Sequence, residues 1–122
     1  MQIVAYYGMS DRALIWLGSS RDDVRAFPAD ARRLAGFQLR RVQQGLDPND
    51  WKTMPTIGPG VSEIRIHTAV EHRVVYVAKF VEAVYVLHAF EKKRRRTSKR
   101  HVDVVRQRLR QLLLQRRSRR RA

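Results

Sequence analysis

The 122-residue chain contains no cysteine, only 4 prolines and 6 glycines, and 11 acidic side chains against 26 Lys+Arg. The missing cysteine excludes disulfides, thiolate nucleophiles and Cys-ligated zinc. No apolar run approaches the roughly 20 residues that cross a bilayer, and no basic-then-apolar leader opens the sequence. There is no G-x-G-x-x-G, no phosphate-cradling G-x-x-x-x-G-K-S/T, no H-E-x-x-H and no nucleophile elbow. His67, His72, His88 and His101 are scattered without metal-ligand spacing, so no metal, nucleotide or organic cofactor is expected. The shortage of acid leaves a formal charge of +15. Such a charge predicts a polyanionic partner, and the absences together predict a soluble cytoplasmic protein with no membrane contact.

The charge is concentrated. Residues 1–90 hold 11 Lys+Arg and 9 Asp+Glu, a net +2, whereas residues 91–122 hold 15 and 2, a net +13. A near-neutral domain therefore carries an Arg-rich end. The expected organisation is an N-terminal extension or edge strand over 1–12, a domain over 13–115 and an Arg-rich tail over 116–122. Ile3–Tyr7 is a separate apolar run ahead of the domain.

Within the domain, Ala13–Leu17 reads as a short buried strand ended by Gly18. Ser20 followed by Asp23 resembles a capping box. Val24, Phe27, Ala31, Leu34, Ala35, Gln38, Leu39, Val42 and Leu46 approximate one helical stripe. Pro28 interrupts it and Gly45 caps it, which predicts a helical hairpin or one kinked helix. Residues 47–60, with three prolines and two glycines, read as a loop anchored by Trp51 and Met54. Val61–His67 alternates as a strand, and Arg73–Phe80 and Ala83–Phe90 are apolar runs suited to central strands. The short Val81–Glu82 link makes those two antiparallel. From Ser98, Val102, Val105, Leu109, Leu112 and Leu113 recur at helical spacing among arginines. The expected fold is α+β: a small, mostly antiparallel sheet, an N-terminal helical hairpin and a C-terminal basic helix, with the helices on one side.

Cations at strand positions carry the chemistry. Arg65 lies in a strand, Arg73 starts the next and Lys79 stands near its end. His88 and Phe90 close the last strand, and Lys92, Lys93, Arg94, Arg95 and Arg96 follow. On one open sheet face, such cations would grip phosphates and Phe90 would stack on a base, while His88 titrates near neutrality. This set suits RNA cleavage by its own 2′-hydroxyl, which needs proton transfer and positive charge on a phosphorane. The plain alternative stands beside it: a packed His88, and an Arg73 paired with Glu71 or Glu82. Tyr76, Tyr85, Trp16 and Trp51 fit packing roles.

Trp16-Leu17-Gly18-Ser19-Ser20 and Asp22–Pro28 resemble the opening of phage-derived HigB-like toxins of the RelE/ParE superfamily. Gly58–Val61, Glu63–Ile66, Arg73–Tyr76 and Leu87–Lys93 continue the resemblance in order over about residues 13–115. It implies a RelE-like toxin that cuts mRNA in the ribosomal A site and is neutralised by a cognate antitoxin, often a helix-turn-helix protein. By position, Arg65 and Arg73 match cations that stabilise the scissile phosphate. His88, Phe90, Lys92 and Lys93 match the end of the last strand. The same fold also serves ParE-like gyrase inhibition, and a non-catalytic nucleic-acid-binding module is a further alternative.

Overall fold

The computed structural model describes residues 11–121, so the Ile3–Tyr7 run lies outside the described residues. In chain order the elements are β1 (Ala13–Trp16), α1 (Ser20–Arg25), α2 (Ala29–Gln43), β2 (Trp51–Thr53), β3 (Val61–His67), β4 (Glu71–Val77), β5 (Ala83–Glu91) and α3 (Lys99–Arg121). The five strands form one sheet in the order β1-β5-β4-β3-β2. Only β1 and β5 run parallel; the other three pairings are antiparallel.

The helical pair forms as the stripe predicts. Pro28 takes an extended conformation (φ −52°, ψ 152°) immediately before α2. Gly45 ends α2 with φ +84°, a left-handed conformation that a residue without Cβ adopts freely. Ala31, Ala35, Leu39 and Val42 are buried, whereas Leu34 and Leu46, at the margins of the stripe, are exposed. The start of α1 differs from the expected capping box. Ser19, not Ser20, takes the N-cap position, and its hydroxyl meets the Asp23 carboxylate at 2.8 Å. Ser20 is fully buried and donates to the Val86 carbonyl at 3.1 Å.

Two expectations are corrected. Residues 51–53 are a strand rather than loop, with Trp51 opposite Ile64; all three are exposed, so no apolar alternation marks them. The helices also lie on both sides of the sheet. Val24, Phe27, Ala31, Leu39 and Val42 from α1, α2 and the link between them pack on Ile64, Ile66, Val74, Tyr76, Val84 and Val86. Val105, Leu109 and Leu112 of α3 pack on Val61, Val75, Val77, Tyr85 and Leu87 on the opposite face. The continuous apolar character of β4 and β5 has this cause, since each strand is covered twice. The α3 helix continues to Arg121, so residues 116–121 are its last turns.

The β4–β5 ladder holds one irregularity that matters for function. Val75 pairs with His88 and Tyr76 pairs with Val86, leaving Leu87 as an extra residue in β5. Side chains alternate along a strand, so His88 would follow Val86 onto the α2 face. The bulge reverses that parity. Leu87 and Phe90 both join the α3-side core, and Ala89 joins the α2-side core.

Candidate nucleic-acid interface

Beyond the bulge, three strands bring polar side chains onto the α3 face of the sheet. Arg65 lies opposite Arg73, and Arg73 opposite Phe90; one pair further along, Glu63 lies opposite Val75, and Val75 opposite His88. Glu63 is 0 % exposed, and neither of its carboxylate oxygens has a hydrogen-bond partner among the described residues. Its Oε1 stands 3.6 Å from Arg73 Nε and 3.9 Å from Arg65 Nε, so the attraction is ionic without hydrogen bonds. Arg73, itself buried, also donates through one terminal nitrogen to Glu71 Oε1 and to the His72 carbonyl, each at 3.0 Å. Glu71 in turn accepts from His67, whose other ring nitrogen meets Asp50. Those carboxylates, Asp50 first, raise the His67 pKa. A chain of alternating charge thus fixes the Arg73 guanidinium.

Lys92 continues the β5 backbone past the strand end, donating its amide to the Glu71 carbonyl at 2.8 Å. Burial lowers the pKa of its ammonium, and the nearby charges of Arg73, Lys52 and Arg65 add to that effect against Glu63. One buried carboxylate therefore faces several cations, and the excess charge suits a phosphate. Next to it, between the end of β5 and the start of α3, lies a cavity of about 510 Å³. Lys92, Arg94, Arg96 and Arg100 line it with Phe90 and His101, and Lys93 on its wall is paired at 3.7 Å with the acidic lining residue, Glu91. The first turn of the 23-residue α3 carries no acidic residue, so the positive helix end adds to this field.

The structure brings Arg65 and Arg73 together on Glu63 with Lys92 nearby, and gathers Lys92, Lys93, Arg94 and Arg96 around the adjoining cavity, with Arg95 exposed on the same segment. It does not bring Lys79 to them. Lys79 packs its aliphatic stem against Gly60 and lies six residues along from Arg73, about 20 Å at the usual strand rise. Phe90 is 6 % exposed, and the His101 ring stacks on it at 4.1 Å with 16° between planes. One face of the Phe90 ring is therefore taken by His101, and little of Phe90 is open to a base.

His88 is 7 % exposed and has both ring nitrogens engaged. Nε2 meets His101 Nδ1 at 2.8 Å, and Nδ1 meets Arg108 at 3.3 Å. Burial, then the His101 and Arg108 charges, push its pKa down to about 4, so it is neutral at pH 7. Burial and Arg100 lower the His101 pKa as well.

Glu63, His101, Arg108 and Gly18 are participants that the sequence reading does not single out. Two of them left a trace. Glu63 shares a strand face with Arg65, and Arg108 falls three residues after Val105 and four before Leu112, on the buried side of α3.

A mixed five-stranded sheet, with a helical pair before it and a basic helix folded back across it, is a RelE-like α+β architecture. The cationic strand end lies within the segment that decides the family. Residues 22–110 match the phage-derived protein Gp49-like (DUF891) family, and the chain belongs to it. No curated protein matches the chain.

Proposed function

We propose that this chain is the toxin of a type II toxin–antitoxin pair, acting in the cytoplasm as a ribosome-dependent, metal-independent mRNA endoribonuclease. The observation that carries the reading is the convergence of Arg65, Arg73 and Lys92 around buried Glu63, beside a cavity walled by cations. In this reading Arg65 and Arg73 hold the non-bridging oxygens of the scissile phosphate and offset the charge that grows as the 2′-oxygen attacks. Glu63 keeps both guanidiniums directed into the site before the substrate arrives. Lys92 takes the 2′-hydroxyl proton, since its lowered pKa brings its neutral form closer to working pH. As the 2′-oxygen bonds to phosphorus the bond to the 5′-oxygen breaks, leaving a 2′,3′-cyclic phosphate and a 5′-hydroxyl that takes its proton from water. The exposed arginines of α3 dock on ribosomal RNA, and a cognate antitoxin, a helix-turn-helix protein by the resemblance, neutralises the toxin.

The test adds the purified protein to a translation extract and maps mRNA 5′ ends. New ends within translated codons, lost on Arg65→Met, are expected. Intact message on ribosomes that carry the protein refutes the reading. A supercoiling defect of gyrase under the same conditions replaces it with the ParE-like activity.

A further inference from the structure

The hydrogen bonds behind the cavity have a fixed direction. A guanidinium can only donate. One terminal nitrogen of Arg108 donates to the Leu87 carbonyl at 2.9 Å and presents its second hydrogen to His88 Nδ1 at 3.3 Å. The other terminal nitrogen donates to Ser19 Oγ at 3.0 Å. His88 Nδ1 is therefore the bare, accepting nitrogen, and the proton of this neutral ring sits on Nε2. That Nε2–H points at His101 Nδ1, 2.8 Å away, so His101 Nδ1 must also be bare. The His101 proton is left on Nε2, on the side of the ring turned from His88, and His101 lines the cavity.

We propose that Arg108 is a positioning residue which, through His88, holds His101 as a hydrogen-bond donor to an oxygen acceptor in the cavity, a phosphate oxygen of RNA. For His101 to accept a proton there instead, its Nδ1 would carry the hydrogen, facing the Nε2–H of His88. Relieving that clash would turn a His88 Nδ1–H against Arg108. The arrangement excludes His101 as the general base while Arg108 stays in place. The charged groups around the pair are Arg100 and Arg108 from α3 and Asp23 from α1. Only Asp23 favours protonation, and burial and the arginines oppose it.

Gly18 belongs to the same device. Its φ is +54°, and a Cβ there would run into the Arg108 guanidinium. Only glycine combines that backbone conformation with an arginine lying flat on it.

The proposal rests on the endoribonuclease reading only in naming the acceptor an RNA phosphate. Its first test is two-bond nitrogen–hydrogen NMR on the full chain with ¹⁵N-histidine at neutral pH. The expected result is an Nε2–H tautomer for both His88 and His101, and loss of that preference at His88 in Arg108→Met. An Nδ1–H at His101 in the parent protein, or unchanged tautomers in Arg108→Met, overturns it. The second test is fluorescence anisotropy with a non-cleavable 2′-deoxy oligonucleotide. His101→Phe and Arg108→Met are each expected to weaken binding about 10-fold or more, as for loss of a hydrogen bond to a charged group. His101→Gln, which retains a donor near the Nε2 position, is expected to stay within about 3-fold of the parent. Parent-like binding by His101→Phe, or no binding by the parent, overturns the phosphate assignment. Absence of mRNA cleavage leaves both results standing, so the two readings fail separately.

Discussion

Removing the Arg73 guanidinium while keeping its stem, in Arg73→Met, tests how the buried Glu63 carboxylate is held. Glu63 is 0 % exposed, its oxygens make no hydrogen bond among the described residues, and Arg73 Nε at 3.6 Å is nearer to it than Arg65 Nε. Breaking a buried ion pair by deleting one partner costs about 3–5 kcal/mol, because the remaining charge is left in a low dielectric. Arg65 Nε remains at 3.9 Å, but its side chain is 33 % exposed and compensates only in part. We expect a loss of about 3 kcal/mol, a large share of the ~5–15 kcal/mol typical of a domain. Replacing both partners, in Glu63→Leu with Arg73→Met, removes the stranded charge and is expected to restore stability to within about 1 kcal/mol of the parent. The assay is urea denaturation followed by fluorescence of Trp16 and Trp51, comparing midpoints at constant slope. A single-variant loss below about 1 kcal/mol, or a double variant that loses the sum of both singles, refutes the argument.

Gly18→Ala is expected to cost about 1–2 kcal/mol from the left-handed backbone alone, and more from displacing Arg108; urea midpoints check it, and parent stability would mean that Arg108 is free to move. His88 has a folded-state pKa of about 4 against 6.5 unfolded, so its contribution to stability is present above pH 6.5 and lost as pH falls toward 4. His88→Gln is expected to flatten the stability–pH curve in that window, and an unchanged curve would place its origin elsewhere. Arg65→Met is expected to lower mRNA cleavage at least 100-fold while costing under about 1 kcal/mol of stability, since Arg65 is a third exposed. The Arg117→Gln, Arg119→Gln, Arg120→Gln triple variant is expected to reduce the log–log salt slope of RNA binding by about 2, at roughly 0.7 per phosphate contact. An unchanged slope would mean that these side chains are only solvated.

Much of the frame was legible in the sequence. Apolar period and punctuation marked β3, β5 and the helical pair, with Pro28 and Gly45 at the boundaries of α2. β2 was not legible, because Trp51, Lys52 and Thr53 are an exposed edge whose only structural signal is backbone pairing. The site was partly legible: Arg65 and Arg73 do lie across from each other. What the sequence hid is orientation. Strand alternation assigns His88 to the α2 face, and only the extra residue at Leu87 turns it toward α3. Arg108 was legible as a position, since its spacing from Val105 and Leu112 puts it on the buried side of α3, but not as a role. By residue type, one arginine that folds inward looks like its neighbours when a helix carries arginine all round.

The bulge at Leu87 also has a mechanical meaning. Its extra residue supplies a carbonyl that the Arg108 guanidinium takes, at a point where Gly18 leaves room. The α3 helix also grips the sheet through Val105, Leu109 and Leu112, an apolar row that a shift of one turn, about 5.4 Å, would nearly reproduce. Greasy contacts of this kind fix how hard a helix is held but poorly fix where along its axis it stops. Arg108 is an index pin that drops into one notch, and the His101–His88 hydrogen bond and the Arg116–Glu82 ion pair hold the helix at the same axial setting. At that setting His101 stands over Phe90, at the mouth of the cationic cavity.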